Sequence, residues 1–154
     1  MGTESVIKPG EVQRMSAGTG VRHSEFNPDT KNRTHLLQIW LLPEKTGIQP
    51  SYEQKSFANE LATNDLILVA SKNGRQGSVS INQDVNLYAC KSSQKKELLF
   101  SIQKNRNIWL QNIKGELQVD DVTLAAGDAI ALEQTESINL KSNAGSEFLI
   151  FDLP

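Results

Sequence analysis

The residues best suited to chemistry are His23 and Glu25, two positions apart in "GTGVRHSEFN", just after a Gly-x-Gly turn. On a β-strand, residues i and i+2 point to the same side with Cα atoms roughly 6.6 Å apart, so an imidazole and a carboxylate there converge on one point. That donor pair suits Fe(II), Ni(II) or Mn(II), with an open position left for a substrate or dioxygen. A firm site takes three or four donors, and the chain has only one other histidine, His35. It opens the apolar run "HLLQIW" and reads as a hydrogen-bonded strand residue at a barrel rim rather than a third ligand. Cys90, with no histidine near it in sequence, reads as a small strand residue. Trp40 and Trp109 read as core or barrel wall. There is no Gly-rich phosphate loop, no Gly-x-Ser-x-Gly and no Cys-x-x-Cys.

The elements that must position these residues have a period of two, which means strands. In "SVSINQDVNLY" the apolar Val79, Ile81, Val85 and Leu87 alternate with polar residues, and "KELLFSIQ" places Leu98, Phe100 and Ile102 on one side. "NIWLQNIKGELQVD" reads as a hairpin joined at Lys114-Gly115, where glycine permits a positive φ. "HLLQIWLLP" is apolar on both faces and reads as a central strand covered on both sides, stopped by Pro43. "SEFLIFDL" is a further strand, and Ser51 to Leu61 is the one helix candidate. Many short strands between Gly, Asn and Pro turns indicate an all-β sandwich or barrel.

Composition narrows the class. Of 154 residues, 38% are hydrophobic and 22% charged, as in soluble globular proteins. The net charge of −2 is spread without a basic block, so no nucleic-acid face is expected. No run approaches the roughly 18 apolar residues of a membrane helix, and the N-terminus has no apolar segment of the secretory kind. A lone cysteine excludes an internal disulfide and suits a reducing cytosol. A cytoplasmic protein is expected.

The chain also repeats itself. "VIKPGEVQRM" (6–15) and "TLAAGDAIAL" (123–132) share an aliphatic residue, then Gly, an acid and an alternating strand. In the second copy several strands precede this segment; in the first almost nothing does, so the first unit reads as lacking its front half.

"VIKPGEVQRMSAGTGVRHSEFNP", "HLLQIWLLPEKTGIQPSYEQKSF" and the terminal "EFLIFDLP" closely resemble the bacterial pirins, two-cupin proteins related to quercetin 2,3-dioxygenase. The match covers essentially the whole chain, which looks like the latter two-thirds of a pirin; Met1-Gly2 looks like the Met-Gly of a hairpin turn reading Asp-Ser-Met-Gly-Asn in that family. Of the general cupin motif Gly-x5-Pro-x-Gly-x2-His-x3-Asn, Gly20, His23 and Asn27 fit, while Gly18 replaces the proline, as in the pirins. The resemblance implies a double-stranded β-helix (jelly-roll) architecture. Residues 1–62 would be the latter part of a metal-binding cupin plus connector, and 63–154 a complete cupin without metal ligands. In the pirins one metal, of the Fe, Ni or Cu type, sits on three histidines and a glutamate. His23 would be the third histidine and Glu25 the glutamate, which also helps take a substrate hydroxyl proton. The first two histidines, from a His-x-His segment, have no counterpart here.

The second unit has no histidine; its loop "QKNRN" (103–107) falls where a His-x-His would stand, so it reads as a structural or pocket-forming barrel. "KSSQKKE" (91–97) reads as a solvated loop. The expected activity is dioxygenolytic opening of a flavonol ring, impaired by the incomplete donor set. The alternatives are a non-enzymatic pirin-like binding or regulatory protein, or a truncated gene product. The expected partners are a flavonoid-like small molecule and further copies of the chain, joined through exposed sheet edges.

Overall fold

The structure is a computed structural model and describes residues 4–154, so the turn read at Met1-Gly2 lies outside the described residues. β1 (Glu11–Ser16) pairs antiparallel with β2 (Ser51–Ser56), Glu11 opposite Ser56, and no strand lies between them. A single-turn helix, α1 (Ala58–Leu61), leads to β3 (Ile67–Ser71), β4 (Val79–Ser80), β5 (Asn86–Lys91), β6 (Lys96–Ser101) and β7 (Asn107–Lys114). Then come β8 (Leu117–Val119), β9 (Val122–Leu124), β10 (Ala129–Leu132), β11 (Ser137–Ser142) and β12 (Glu147–Leu153). β3 to β12 form two sheets of cupin type, ordered β10-β7-β12-β5-β3-β4 and β6-β11-β8-β9.

Alternation decides what these sheets enclose. Ile108 and Leu110 of β7, Ile138 and Leu140 of β11, and Phe148 and Ile150 of β12 are all at most 2% exposed and pack into one cluster. Each such side chain contributes about 1.5–3 kcal/mol on leaving water. The space between the two sheets is therefore filled by side chains. The opposite face of the six-stranded sheet builds a second cluster from Val69, Val79, Ile81, Val85 and Leu87. Phe57, Val12 and Leu41 pack there too, and so dock the first part of the chain onto the second.

β12 and β6 lie where the alternation predicts them, with Leu98, Phe100 and Ile102 against the core and Leu99 out in solvent. Val79, Ile81, Val85 and Leu87 are all buried, but Val79 lies on β4 and Leu87 on β5, with Ile81 and Val85 in the break between. "NIWLQNIKGELQVD" is not a hairpin. Gly115 does have φ +72, but there the chain crosses from one sheet to the other, and β7 and β8 do not pair. Ser146 packs so closely that a Cβ at 115 would lie 2.8 Å from its Oγ. The two-residue hairpin is instead β8–β9, with Val119 opposite Val122 across Asp120-Asp121.

Ser51 to Leu61 is helical only over its last four residues, because β1 offers Ser51–Ser56 a ladder. The "HLLQIWLLP" stretch corrects a larger expectation. It joins no sheet; Trp40 and Leu42 are 85% and 83% exposed, and only Leu41 reaches the core. A strand exists only where a neighbour answers its N–H and C=O groups, and among the described residues none lies alongside. Trp40, outside every sheet, is accordingly not a core residue, while Trp109 (44% exposed) is a wall residue of β7, opposite Ala131 and Phe151. "KSSQKKE" is more than a solvated loop. Ser92 is buried and shares a 2.7 Å hydrogen bond with Ser142, Lys96 pairs with Asp65, and Glu97 lies 3.5 Å from Lys141.

Candidate functional site

His23 and Glu25 lie in the strand-free stretch between β1 and β2, and both are exposed. The ladder expected to aim them is therefore not formed. Among the described residues neither side chain has a hydrogen-bond or ion-pair partner, and no three His, Cys, Asp or Glu side chains gather as a metal site would require. The described donors thus stop at two and do not complete a metal site. His35 is not the hydrogen-bonded strand residue expected, since it lies outside every strand. It is exposed and, with Leu37, lines an open cavity of about 270 Å³ against Gln111, Ile113 and Gly127.

The backbone around the pair is nevertheless constrained. Lys8 N–H donates to Glu11 Oε2 at 2.8 Å and Glu11 N–H to Lys8 O at 3.0 Å, closing a turn through Gly10 at φ +83. Ala125 N–H donates to Asp128 Oδ2 at 2.9 Å and Asp128 N–H to Ala125 O at 3.1 Å, closing the same turn through Gly127 at φ +94. The repeat read from sequence is thus a repeat of hydrogen bonds. After β1, the chain passes Gly18 at φ +54, where a Cβ would lie 2.1 Å from Ile48 O and 2.8 Å from Pro50 N. Only glycine fits, which is why Gly18 stands where a proline was looked for. Beyond Glu25 the loop is tied by its own side chains. Asn27 Nδ2 donates to Asn32 O at 2.7 Å, and Asp29 accepts from the Lys31 and Asn32 backbones. The Asn32 side chain, foremost, and these backbone donors hold the Asp29 carboxyl below its ordinary value.

A shift of 117 residues, from Gly10 to Gly127, shows what such a stretch does when its ladder is complete. It carries Val21, His23 and Glu25 onto Ile138, Leu140 and Ser142, the inward-facing positions of β11, each at most 2% exposed. β11 is held there by β6 and β8.

A polar clamp that sequence reasoning missed fixes β1 and β2 to β4. Arg14 Nη2 reaches Glu53 Oε2 at 3.2 Å, and Lys55 Nζ reaches Glu53 Oε1 at 2.9 Å. Glu53 also accepts the Ser80 N–H at 3.0 Å, Lys55 donates to Ser78 O, and Asn82 Nδ2 to Ser16 Oγ. The Lys55 ammonium above all, with Ser80 and Arg14, outweighs partial burial and holds the Glu53 carboxyl at about 2. The signal was Glu53 and Lys55 two apart, on one face of a strand. In the loop "QKNRN", Arg106 serves as a cross-link, its Nε 2.6 Å from Asp152 Oδ1 and its Nη1 2.9 Å from Asp84 Oδ2. Cys90 is buried on β5, and loss of solvent pushes its thiol up, away from the thiolate form.

Residues 68–153 match the family described as "Quercetinase C-terminal cupin domain", and residues 1–41 match the family "Pirin". The chain belongs to the pirin family. It is 39% identical over 154 residues to quercetin 2,3-dioxygenase of Escherichia coli K12, covering 100% of this chain and 65% of that protein. A putative quercetin 2,3-dioxygenase of Pasteurella multocida is also 39% identical, with 99% of this chain and 65% of that one covered. The chain therefore spans about two-thirds, 65%, of the length of these pirin-family relatives. The crystal structure of YhhW from Escherichia coli superposes with TM-score 0.92 at 39% identity over 100% of this chain and 64% of that one. The same bacterial pirin in complex with nickel(II) superposes with TM-score 0.86 at 40% identity over 94% of this chain and 62% of that one.

Proposed function

We propose that this pirin contributes His23 and Glu25 to a divalent-metal site of the quercetin 2,3-dioxygenase type, with a flavonol-like molecule as substrate. The observation that carries this reading is the match of the duplicated turn. The two residues occupy positions that in the second unit face the interior of a cupin barrel. Nickel in the complex of a related pirin supports a metal of the Fe, Ni or Cu type. Glu25 would also accept the proton of a bound flavonol hydroxyl. The described residues bring only two donors, so on this reading the 154-residue polypeptide is expected to bind metal weakly. We divide it into residues 1–62, which carry the site, and residues 63–154, a metal-free structural cupin.

The test is metal content per polypeptide after exhaustive dialysis, with nickel(II) titration of the wild type, His23→Ala and Glu25→Gln. The wild type should retain far less than one equivalent, and each variant should bind more weakly still. One firmly held metal per chain that survives both substitutions would overturn the assignment.

A second reading, a binding partner without catalysis, is favoured by the exposed Phe26, Trp40 and Leu42, which lie outside every sheet. Such a stretch also supports self-association through its free edges. Sedimentation velocity that finds a monomer at every concentration would refute self-association. Among the described residues no helix is long and apolar enough to cross a membrane. The buried, unpaired Cys90 supports a place in the reducing cytoplasm.

A further inference from the structure

The segment "SKNGRQGS" (71–78) leads from β3 to β4 and holds the chain's one Asn-Gly step, Asn73-Gly74. An asparagine there is chemically weak. The backbone nitrogen that follows can attack the side-chain amide, and glycine puts no Cβ in its path. Every other asparagine of the chain is followed by a residue that carries a side chain.

The fold presents this step for reaction. Asn73 is exposed, while Ser71 and Ser78, at the two ends of the segment, are buried. The Asn73 Oδ1 atom accepts the Arg75 N–H at 3.3 Å and the Ser71 hydroxyl at 3.5 Å. Ser71 in turn shares a 2.8 Å hydrogen bond with Ser78, and with Ser78 donating, the Ser71 proton is directed at Asn73. Both donors are long on a neutral carbonyl and tighten on an oxyanion, the charge that attack at Cγ places on Oδ1. The attacking nitrogen is loosely held. Gly74 N–H reaches Ser71 O at 3.3 Å, and that oxygen already accepts the Ile81 N–H at 2.9 Å. Its release therefore leaves no acceptor unpaired. Among the described residues the leaving group, Asn73 Nδ2, donates to nothing.

We propose that Asn73 is a self-modification site, converted in the folded protein to aspartate and isoaspartate, with the Ser71 hydroxyl and the Arg75 N–H as oxyanion donors. Gly74 N gives its proton to hydroxide and bonds to Asn73 Cγ. The Cγ–Nδ2 bond then breaks, and the nitrogen, protonated by water, departs as ammonia. Water opens the resulting succinimide at either carbonyl. The balance is one amide and one water giving one acid and one ammonia, with no oxidant or reductant. In the isoaspartyl product the main chain runs through Cβ and Cγ, one methylene longer between β3 and β4. That connection and β4 carry the polar clamp's partners, Ser78 O for Lys55 and Ser80 N–H for Glu53. Conversion thus loosens β1 and β2 from β4.

The experiment is timed incubation of the 154-residue chain at mildly alkaline pH, read by peptide mass spectrometry, an isoaspartate assay and amide exchange of the aged protein. Wild type, Ser71→Ala, Ser78→Ala and Asn73→Gln are compared folded and in urea, with thermal melting to check that each variant folds. Asn73 should convert well before Asn143, which is also exposed but precedes alanine. Ser71→Ala should slow the folded reaction about fivefold, from the loss of one hydrogen bond to the developing charge, and leave the rate in urea unchanged. Ser78→Ala, which removes the partner that directs the Ser71 proton, should slow it as well. Aged wild type, unlike aged Asn73→Gln, should exchange faster in β1 and β2. An unconverted Asn73, a folded Ser71→Ala as fast as the wild type, or unchanged exchange in β1 and β2 would each overturn the proposal.

Discussion

Replacing Glu53 by glutamine should loosen the attachment of β1 and β2 to the rest of the molecule, by an amount that the clamp geometry bounds. The Glu53 carboxyl is held at about 2 against an ordinary 4.5 by Lys55, Ser80 and Arg14. A shift of that size corresponds to at most about 3.4 kcal/mol at 1.36 kcal/mol per unit. Its side chain is 24% exposed, so solvent screening reduces this to about 2 kcal/mol. The sign follows from the direction of the shift. A carboxylate with a lowered folded value stabilises the fold fully above its unfolded value, near 4.5, and the contribution disappears as the pH falls through about 2.

Urea unfolding at pH 7 and pH 3 reads this directly. Glu53→Gln should be about 2 kcal/mol less stable at pH 7, and the gap should shrink to less than half at pH 3, where the wild type has lost most of the same contribution. Amide exchange should locate the loosening in β1, β2 and β4. A gap that stays constant from pH 7 to pH 3, or a variant as stable as the wild type at pH 7, would refute the reasoning.

Two further outcomes follow from the same geometry. Gly18→Ala forces a Cβ against Ile48 O from a left-handed backbone, and should cost about 3 kcal/mol in chemical denaturation while leaving the second unit's near-ultraviolet signal intact. Arg106→Ala leaves the Asp152 charge, 12% exposed, with the Asn86 amide but no cation, and should cost about 3 kcal/mol at pH 7; the double variant with Asp152→Asn should recover part of it.

Much of the fold was legible because alternation is a property of sequence alone. β6, β12 and the buried face through Val79 to Leu87 follow from period two, and the paired turns at Gly10 and Gly127 from a repeated Gly-acid step. Partner choice was not legible. Gly115 permits a tight turn whether the chain doubles back or changes sheets, and only the close approach of Ser146 shows which it does. "HLLQIWLLP" carries a strand's composition without, among the described residues, a strand's neighbours, so it stays extended and exposed where burial was expected.

The candidate site divides in the same way. The residue types and spacing of His23 and Glu25, the absence of histidine from residues 63–154, and the family itself were set by the order of amino acids. The tertiary structure decided that the space between the two sheets is filled by side chains, that Arg14, Glu53 and Lys55 fix β1 and β2 to β4, and that of the stretch 35–41 only Leu41 packs into a core cluster. The physical reason is that side-chain direction along an extended chain is local, fixed by the pleat. Which side becomes interior depends on what packs against it, and those partners lie tens of residues away along the chain.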